Sequence, residues 1–288
     1  MQRKLHPLER LVAVFALFFV LALSVGFAQA DEIRKQKAVF LRSSSALVLD
    51  AETGEVVINK NGDAVVPIAS ITKLMTAIVT LERGLELDQR IVLSREDVRT
   101  ARRTHTRLRT GTVLTREELL MLALMASENL AAAALGRTYP GGMEVFVEAM
   151  NAKALELGMS DSRFVEPTGL SPHNVSSALD LAKLVSAAHD YPLIREYSTR
   201  ERATVHSFKR PLTYRNTNNL VRSTYWDIGL SKTGYISQAG RCLVMQVKLG
   251  SKDLIVVLLD SWGKYSRIGD ANRIRKWLET NASAAHSS

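Results

Sequence analysis

Cysteine is almost missing from this chain; Cys242 is the only one. An exported protein with one cysteine has no internal disulfide and must be held by packing alone. Cys242 lies in an apolar, strand-like stretch and reads as a small buried core residue. Metal-ligand spacing is lacking as well. His105, His173, His189 and His206 are scattered, and with so little cysteine beside them neither a structural nor a catalytic zinc is expected. Beyond residue 30 no apolar run reaches the length needed to cross a bilayer. There is no internal repeat, and low complexity is confined to the Ser/Ala-rich segment 282–288, read as a disordered tail.

The first thirty residues do carry one long apolar run. Arg3, Lys4 and Arg10 precede or open an almost unbroken stretch over 11–27, and Ala28-Gln29-Ala30 supplies a small-x-small cleavage pattern before Asp31. Residues 1–30 therefore read as a secretory signal, with an uncleaved anchor as the alternative. The expected location is the periplasm, with no stable membrane span once the signal is cut. The whole chain is +9, and the leader holds three basic residues against one acidic, which leaves +7. That balance suits a polyanionic neighbour; export argues against nucleic acid. Residues 31–281 are long enough for a large core and read as one catalytic domain.

Strand-like runs at 46–50 and 55–59 flank a Gly-closed turn and predict a hairpin. A helix opening at Ser70 follows, with Ile71, Leu74, Met75, Ile78 and Val79 on one face and Gly84 ending it. Residues 85–114 look polar and irregular. Thr115 and Glu118 form a capping box for a buried helix, interrupted at 127–129 before an alanine-rich one. Further helices are predicted from Gly142 to Gly158 and from Ser177 to Ala188. The last third turns to β-rich runs at 228–235, 242–249 and 254–259, then a helix near 264–280. Strands at both ends and helices between them predict an α+β fold: an antiparallel sheet flanked by helices, with an all-helical lobe inserted.

Three short words stand in order along these elements: Ser70-Ile71-Thr72-Lys73, Ser127-Glu128-Asn129 and Lys232-Thr233-Gly234. Residues three apart on a helix share a face, so Ser70 and Lys73 can touch. A serine hydroxyl needs a base, and a lysine serves only if its pKa falls, through desolvation or a neighbouring cation such as Lys232. Ser127, in a helix break, can pass a proton to a leaving group, and Asn129 can hold Lys73 and a substrate carbonyl. A strand edge at 232–234 can take an extended peptide as a further strand. Gly234 permits close approach, while Lys232 and Thr233 can bind a carboxylate. Each word alone is common; their order and chemical complementarity point to a self-acylating serine enzyme.

The set matches that of penicillin-binding proteins and class A β-lactamases, with Glu128 where aspartate is usual. The chain resembles the low-molecular-mass penicillin-binding proteins, the serine D-Ala-D-Ala carboxypeptidases and endopeptidases that edit peptidoglycan. The segments 67–69, 111–115, 164–170, 216–220 and Ala239-Gly240 share in the likeness. The resemblance implies the penicillin-binding-protein fold, with Ser70 as acyl-ester nucleophile, Lys73 as general base, and Ser127 and Asn129 as proton relay and orienter. It makes Lys232 and Thr233 substrate-binding, beside Gly234, and gives the oxyanion hole to the amides of Ser70 and Tyr235. No cofactor is implied; the partners are peptidoglycan peptide stems and cross-links, with β-lactams as covalent inhibitors.

Only 54 residues follow Gly234. That length, with His105-Thr106-Arg107-Leu108-Arg109, resembles the endopeptidase subtype rather than the carboxypeptidases with a further β-rich domain. The alternative reading is a D-Ala-D-Ala carboxypeptidase. A β-lactamase would need a second base, and Glu166 lacks the Glu-x-x-Leu-Asn context, so it reads as a loop residue. A non-catalytic penicillin sensor would hang from a signalling protein. The basic segment Arg99, Arg102, Arg103, Arg107 and Arg109 reads as a solvated loop, with a grip on anionic wall polymer as its alternative.

Overall fold

β-branched and leucine-rich runs from the two ends of the chain meet in one sheet. The computed structural model describes residues 39–101 and 106–285, so the leader and the basic pair Arg102 and Arg103 lie outside the described residues. β1 (Ser43–Asp50) and β2 (Val56–Lys60) form the expected hairpin. After β3 (Val66–Pro67) a 3-10 turn over Ala69–Ile71 leads into α1 (Thr72–Glu82). The stretch expected to be irregular instead holds β4 (Arg90–Val92), α2 (Arg95–Thr100) and β5 (Val113–Thr115). Its elements are too short for periodicity to register, yet Ser94 and Asp97 form a capping box and β4 pairs with β5.

α3 (Arg116–Met125) starts at the predicted cap: Thr115 Oγ1 accepts from Glu118 N at 3.1 Å, and Glu118 Oε2 accepts from Thr115 N at 2.8 Å. α4 (Asn129–Arg137) and α5 (Gly142–Glu156) follow, then β6 (Val175–Ser176) and α6 (Ala178–His189), capped by Ser177. The next stretch carries no sustained periodicity in its sequence. It contains α7 (Pro192–Thr199), the hairpin β7 (Arg202–Ser207) with β8 (Arg210–Arg215), and a 3-10 turn over Asn219–Arg222. β9 (Asp227–Ile236), β10 (Gly240–Leu249) and β11 (Lys252–Ser261) precede α8 (Ser266–Ala285), which runs past the expected end at 280.

The main sheet has the order β2-β1-β11-β10-β9, and every neighbouring pair is antiparallel. β11 is buried throughout 254–259, as a central strand covered on both faces must be. β9 is an edge strand, which leaves one side of its backbone available. Asp270 on α8 ties the start of β1 by accepting from Arg42 N at 2.9 Å, Ser43 N at 2.7 Å and Ser43 Oγ at 2.6 Å. Burial pulls its pKa up, yet those three donors and the Arg273 side chain together hold the carboxyl below the usual aspartate range.

The helical lobe surrounds α1, whose Leu74, Met75 and Ile78 are fully buried. Ala131 to Ala134 on α4 are also buried, and their small size allows helices to approach closely. Cys242 is buried in the core, as its setting predicted, and burial pushes its thiol up to about 11. The chain divides into a compact unit over Leu41–Arg275 and a second comprising the residues up to Phe40 and Lys276–Ser288. In the second, the end of α8 is held by its own turns, with Thr280 Oγ1 donating to the Lys276 carbonyl at 2.8 Å. Among the described residues no helix is long and apolar enough to cross a membrane.

Candidate active site

The three words meet. Ser70 lies in the 3-10 turn and Lys73 in the first turn of α1, so the three-residue spacing brings Lys73 Nζ to 2.9 Å from Ser70 Oγ. The same amine donates to Asn129 Oδ1 at 2.8 Å, at the start of α4, and to the Thr168 carbonyl at 2.5 Å. Two of these partners can only accept. A neutral amine therefore spends its two N–H groups on Asn129 and Thr168 and turns its lone pair toward the serine hydroxyl.

Lys73 is 0% exposed. Burial pulls its pKa down to about 8, with the carboxylates of Glu166 and Glu128 opposing. The sequence leaves two causes open for this lowering, desolvation or a neighbouring cation such as Lys232. Desolvation leads, and Lys232 is itself held well below the ordinary lysine range, first by burial and then by the charges of Lys73 and Arg267.

Ser127 occupies the break between α3 and α4 with φ at 58°, a left-handed conformation unusual for a residue with a side chain. Its Oγ accepts from Lys232 Nζ at 3.0 Å, and that amine also donates to the Thr233 carbonyl at 3.0 Å. Glu128, beside it, caps α4 by accepting from Leu130 N at 3.3 Å; burial raises its pKa.

Lys232, Thr233, Gly234 and Tyr235 lie on β9, the sheet edge. A Cβ on Gly234 would stand 3.0 Å from Ser70 N, Ile68 O and Ala69 Cβ, so glycine lets this strand lie against the nucleophile's turn without crowding it. The expected oxyanion donors, Ser70 N and the amide of Tyr235, thus belong to segments in contact. Tyr235 itself is 57% exposed, with Arg241 stacked 4.5 Å above its ring.

Several participants escaped the sequence reading. The Thr168 carbonyl is one. It belongs to a turn, 166–171, organised by the Glu166 carboxylate, which accepts from Thr168 N and Gly169 N, both at 2.7 Å, from Thr168 Oγ1 at 2.5 Å and from Ser171 N at 3.2 Å. With Asn174 Nδ2 also donating at 3.1 Å, this carboxylate is saturated by the loop, in keeping with the expected loop role. Thr76 Oγ1 donates to Pro167 O at 2.7 Å and pins the turn to α1. The Pro-x-Gly spacing at 167–169 was the available signal for this turn.

Thr217 is another. Its hydroxyl accepts from Thr233 Oγ1 at 2.6 Å, and its N–H donates to Met125 O at 3.1 Å, so one residue links the β9 word to the end of α3. Asn218 adds a bond to Ser231 Oγ at 2.8 Å. Arg267 on α8 donates to the carbonyls of Gly234, at 3.0 Å, and Cys242, at 3.2 Å.

The comparisons agree with this geometry. The family model described as D-alanyl-D-alanine carboxypeptidase, peptidase family S11, matches residues 32–263. A D-alanyl-D-alanine endopeptidase of Pseudomonas aeruginosa is 46% identical over 279 residues, covering 94% of this chain and 89% of the relative. The corresponding Escherichia coli endopeptidase is 44% identical, covering 93% of this chain and 88% of its own length. A Streptomyces DD-transpeptidase crystal structure superposes with a TM-score of 0.78 at 27% identity, over 84% of this chain and 98% of the other. With a serine, a buried lysine and an edge-strand Lys-Thr-Gly converging on one cleft, and a family match over most of its length, the chain belongs to the D-alanyl-D-alanine carboxypeptidase family of serine peptidases.

Proposed function

We propose that this protein is a D-alanyl-D-alanine endopeptidase that cuts peptide cross-links of peptidoglycan through an acyl-enzyme on Ser70. The observation that carries the reading is the desolvated Lys73 amine, 2.9 Å from Ser70 Oγ with its pKa lowered to about 8. A substrate strand adds to the free edge of β9 and presents its scissile carbonyl to Ser70. Ser70 Oγ attacks the carbonyl carbon as its proton passes to Lys73 Nζ. Charge on the carbonyl oxygen is met by the amides of Ser70 and Tyr235.

The C–N bond then breaks, and the leaving amine takes a proton through Ser127, whose hydroxyl is held by Lys232. Thr233, steadied by Thr217, and Lys232 receive a carboxylate of the substrate. Water hydrolyses the ester to free Ser70. β-Lactams acylate the same serine. Residues 1–30 act as an export signal and 31–281 as the catalytic domain, working in the periplasm.

Two relatives about equally covered along this chain carry the endopeptidase name, which favours that subtype over the carboxypeptidase. Incubation with defined cross-linked and uncross-linked muropeptides, read by mass spectrometry, tests it. Split dimers are expected. Loss of terminal D-alanine alone would make it a carboxypeptidase, and acylation by penicillin with both substrates intact would make it a sensor. Ser70→Ala abolishes labelling by fluorescent penicillin with the fold retained; surviving label would move the nucleophile elsewhere.

A further inference from the structure

Past the ends of β10 and β11 stand exposed side chains that the reaction above does not use. Across the sheet, Tyr235 on β9 is the register partner of Arg241 on β10, and Arg241 is the partner of Ser261 at the end of β11. Neighbouring strands lie about 4.8 Å apart, so these three residues form a short row leading away from the Lys-Thr-Gly strand. Trp262 follows Ser261 directly in the chain, just past the end of β11. The connection from Trp262 to α8 is tight: Ser266 Oγ donates to the Trp262 carbonyl, Ser266 N donates to Gly263 O at 3.3 Å, and Gly263 takes φ of 88°. Immediately after it, Arg267 reaches back to the Gly234 carbonyl at 3.0 Å. The C-terminal end of this turn is therefore fastened to the strand end that borders Ser70.

The turn holds its aromatic side chains out in water. Trp262 is 80% exposed and Tyr265 69% exposed. Tyr235, Trp262 and Tyr265 are half of the six strongly exposed aromatic residues among those described, the others being Phe40, Phe208 and Tyr225. One exposed aromatic is ordinary; Trp262 and Tyr265, three residues apart in a turn that Arg267 ties to the strand carrying Tyr235, form a candidate recognition surface. Cations flank them. Arg241 lies 4.5 Å over the Tyr235 ring, and Lys264 Nζ lies 5.5 Å from the Tyr265 ring centre. These contacts steady the rings and leave N–H donors at their margins.

We infer that Trp262 and Tyr265 form a carbohydrate subsite that takes the N-acylated sugar rings of the wall glycan. The inference rests on the reading that the substrate peptides are carried on that polymer. A pyranose ring has a C–H-rich face that packs on indole or phenol, while its hydroxyl and acylamino groups project sideways as acceptors for Arg241 and Lys264. Rigid aromatic planes with peripheral donors match that distribution, at little cost in side-chain entropy. The glycan would lie across the ends of β10 and β11 as the peptide enters along β9.

The test uses the full mature chain and its Trp262→Ala/Tyr265→Ala double variant. Peptide-free glycan chains, stripped of their stems by an amidase, serve as the binding probe, which makes the readout independent of any cleavage. The wild type is expected to bind them, and the double variant to bind at least about ten-fold more weakly, with penicillin acylation of Ser70 unchanged. Cross-linked dimers with and without their disaccharides give the second readout. kcat/KM should fall in the variant for the sugar-bearing dimer alone. Equal binding by both proteins, no binding by the wild type, equal loss on both dimers, or a parallel loss of acylation would each overturn the subsite. If glycan binds as expected but no dimer is split, the endopeptidase reading fails while the subsite stands.

Discussion

Gly169 faces the Ala69 carbonyl so closely that a methyl group on it would stand 2.0 Å from that oxygen and 2.8 Å from Ser70 N. Gly169 has φ of 80°, and Ala69 is itself held at 48°. Two turns a hundred residues apart therefore share one space at the nucleophile, and neither can move without the other. Gly169→Ala is expected to displace the Ser70 turn and reduce acylation by fluorescent penicillin at least about a hundred-fold, equivalent to about 2.7 kcal/mol. Acylation at the wild-type rate would mean that the turn yields freely.

Lys73 predicts the pH profile. Its pKa is lowered from 10.5 to about 8, and only the neutral amine can take the Ser70 proton. The acylation rate should rise with pH, with a midpoint near 8, and level off above it; stopped-flow acylation across the range reads this directly. Linkage has a definite sign. The unfolded lysine keeps its proton up to its ordinary pKa, so between about 8 and 10.5 the unfolded chain binds more protons and this residue's contribution to stability rises with pH. Below about 8 both states are protonated and that contribution is flat. A rate that stays level from pH 6 to 9 would remove Lys73 as the base.

Deleting the amine gives a second reading of the same role. Lys73→Ala should slow acylation on the order of 10²- to 10⁴-fold, the range for losing a general base. An unchanged acylation rate by quenched-flow labelling would contradict the assignment.

Glu166 separates a loop organiser from a hydrolytic base. Its carboxylate already accepts from the backbone of Thr168, Gly169 and Ser171, which position the carbonyl that Lys73 uses. Glu166→Gln should therefore slow acylation, by about ten-fold, and leave the lifetime of the penicilloyl-enzyme unchanged. A variant that acylates normally and accumulates acyl-enzyme would assign Glu166 to deacylation.

Thr217 acts on the substrate through Thr233. Thr217→Val keeps the shape but removes the acceptor 2.6 Å from Thr233 Oγ1. The loss of one hydrogen bond, about 1 kcal/mol, should appear as a roughly five-fold rise in KM with kcat little changed. A loss confined to kcat in steady-state kinetics would place Thr217 in the chemical step instead.

What the linear chain settled by itself was local. The three-residue spacing of Ser70 and Lys73, the cap at Thr115 and Glu118, the break at 127–129 and the β-rich runs at the C-terminal end are properties of neighbouring residues, and each is where the pattern put it. The sheet built from both ends was also legible, because strands of the same character can bury themselves only against each other. Short elements such as α2 and β7 were not, since a few residues carry too little periodicity. Tertiary structure alone decided the electrostatics and the backbone acceptors. That Lys73 loses its solvent, that Thr168 supplies a carbonyl, and that Thr217 steadies Thr233 depend on segments distant in the chain being packed into one water-poor space. Side-chain identity names the groups available, whereas desolvation and hydrogen-bond geometry exist only once the chain has closed around them.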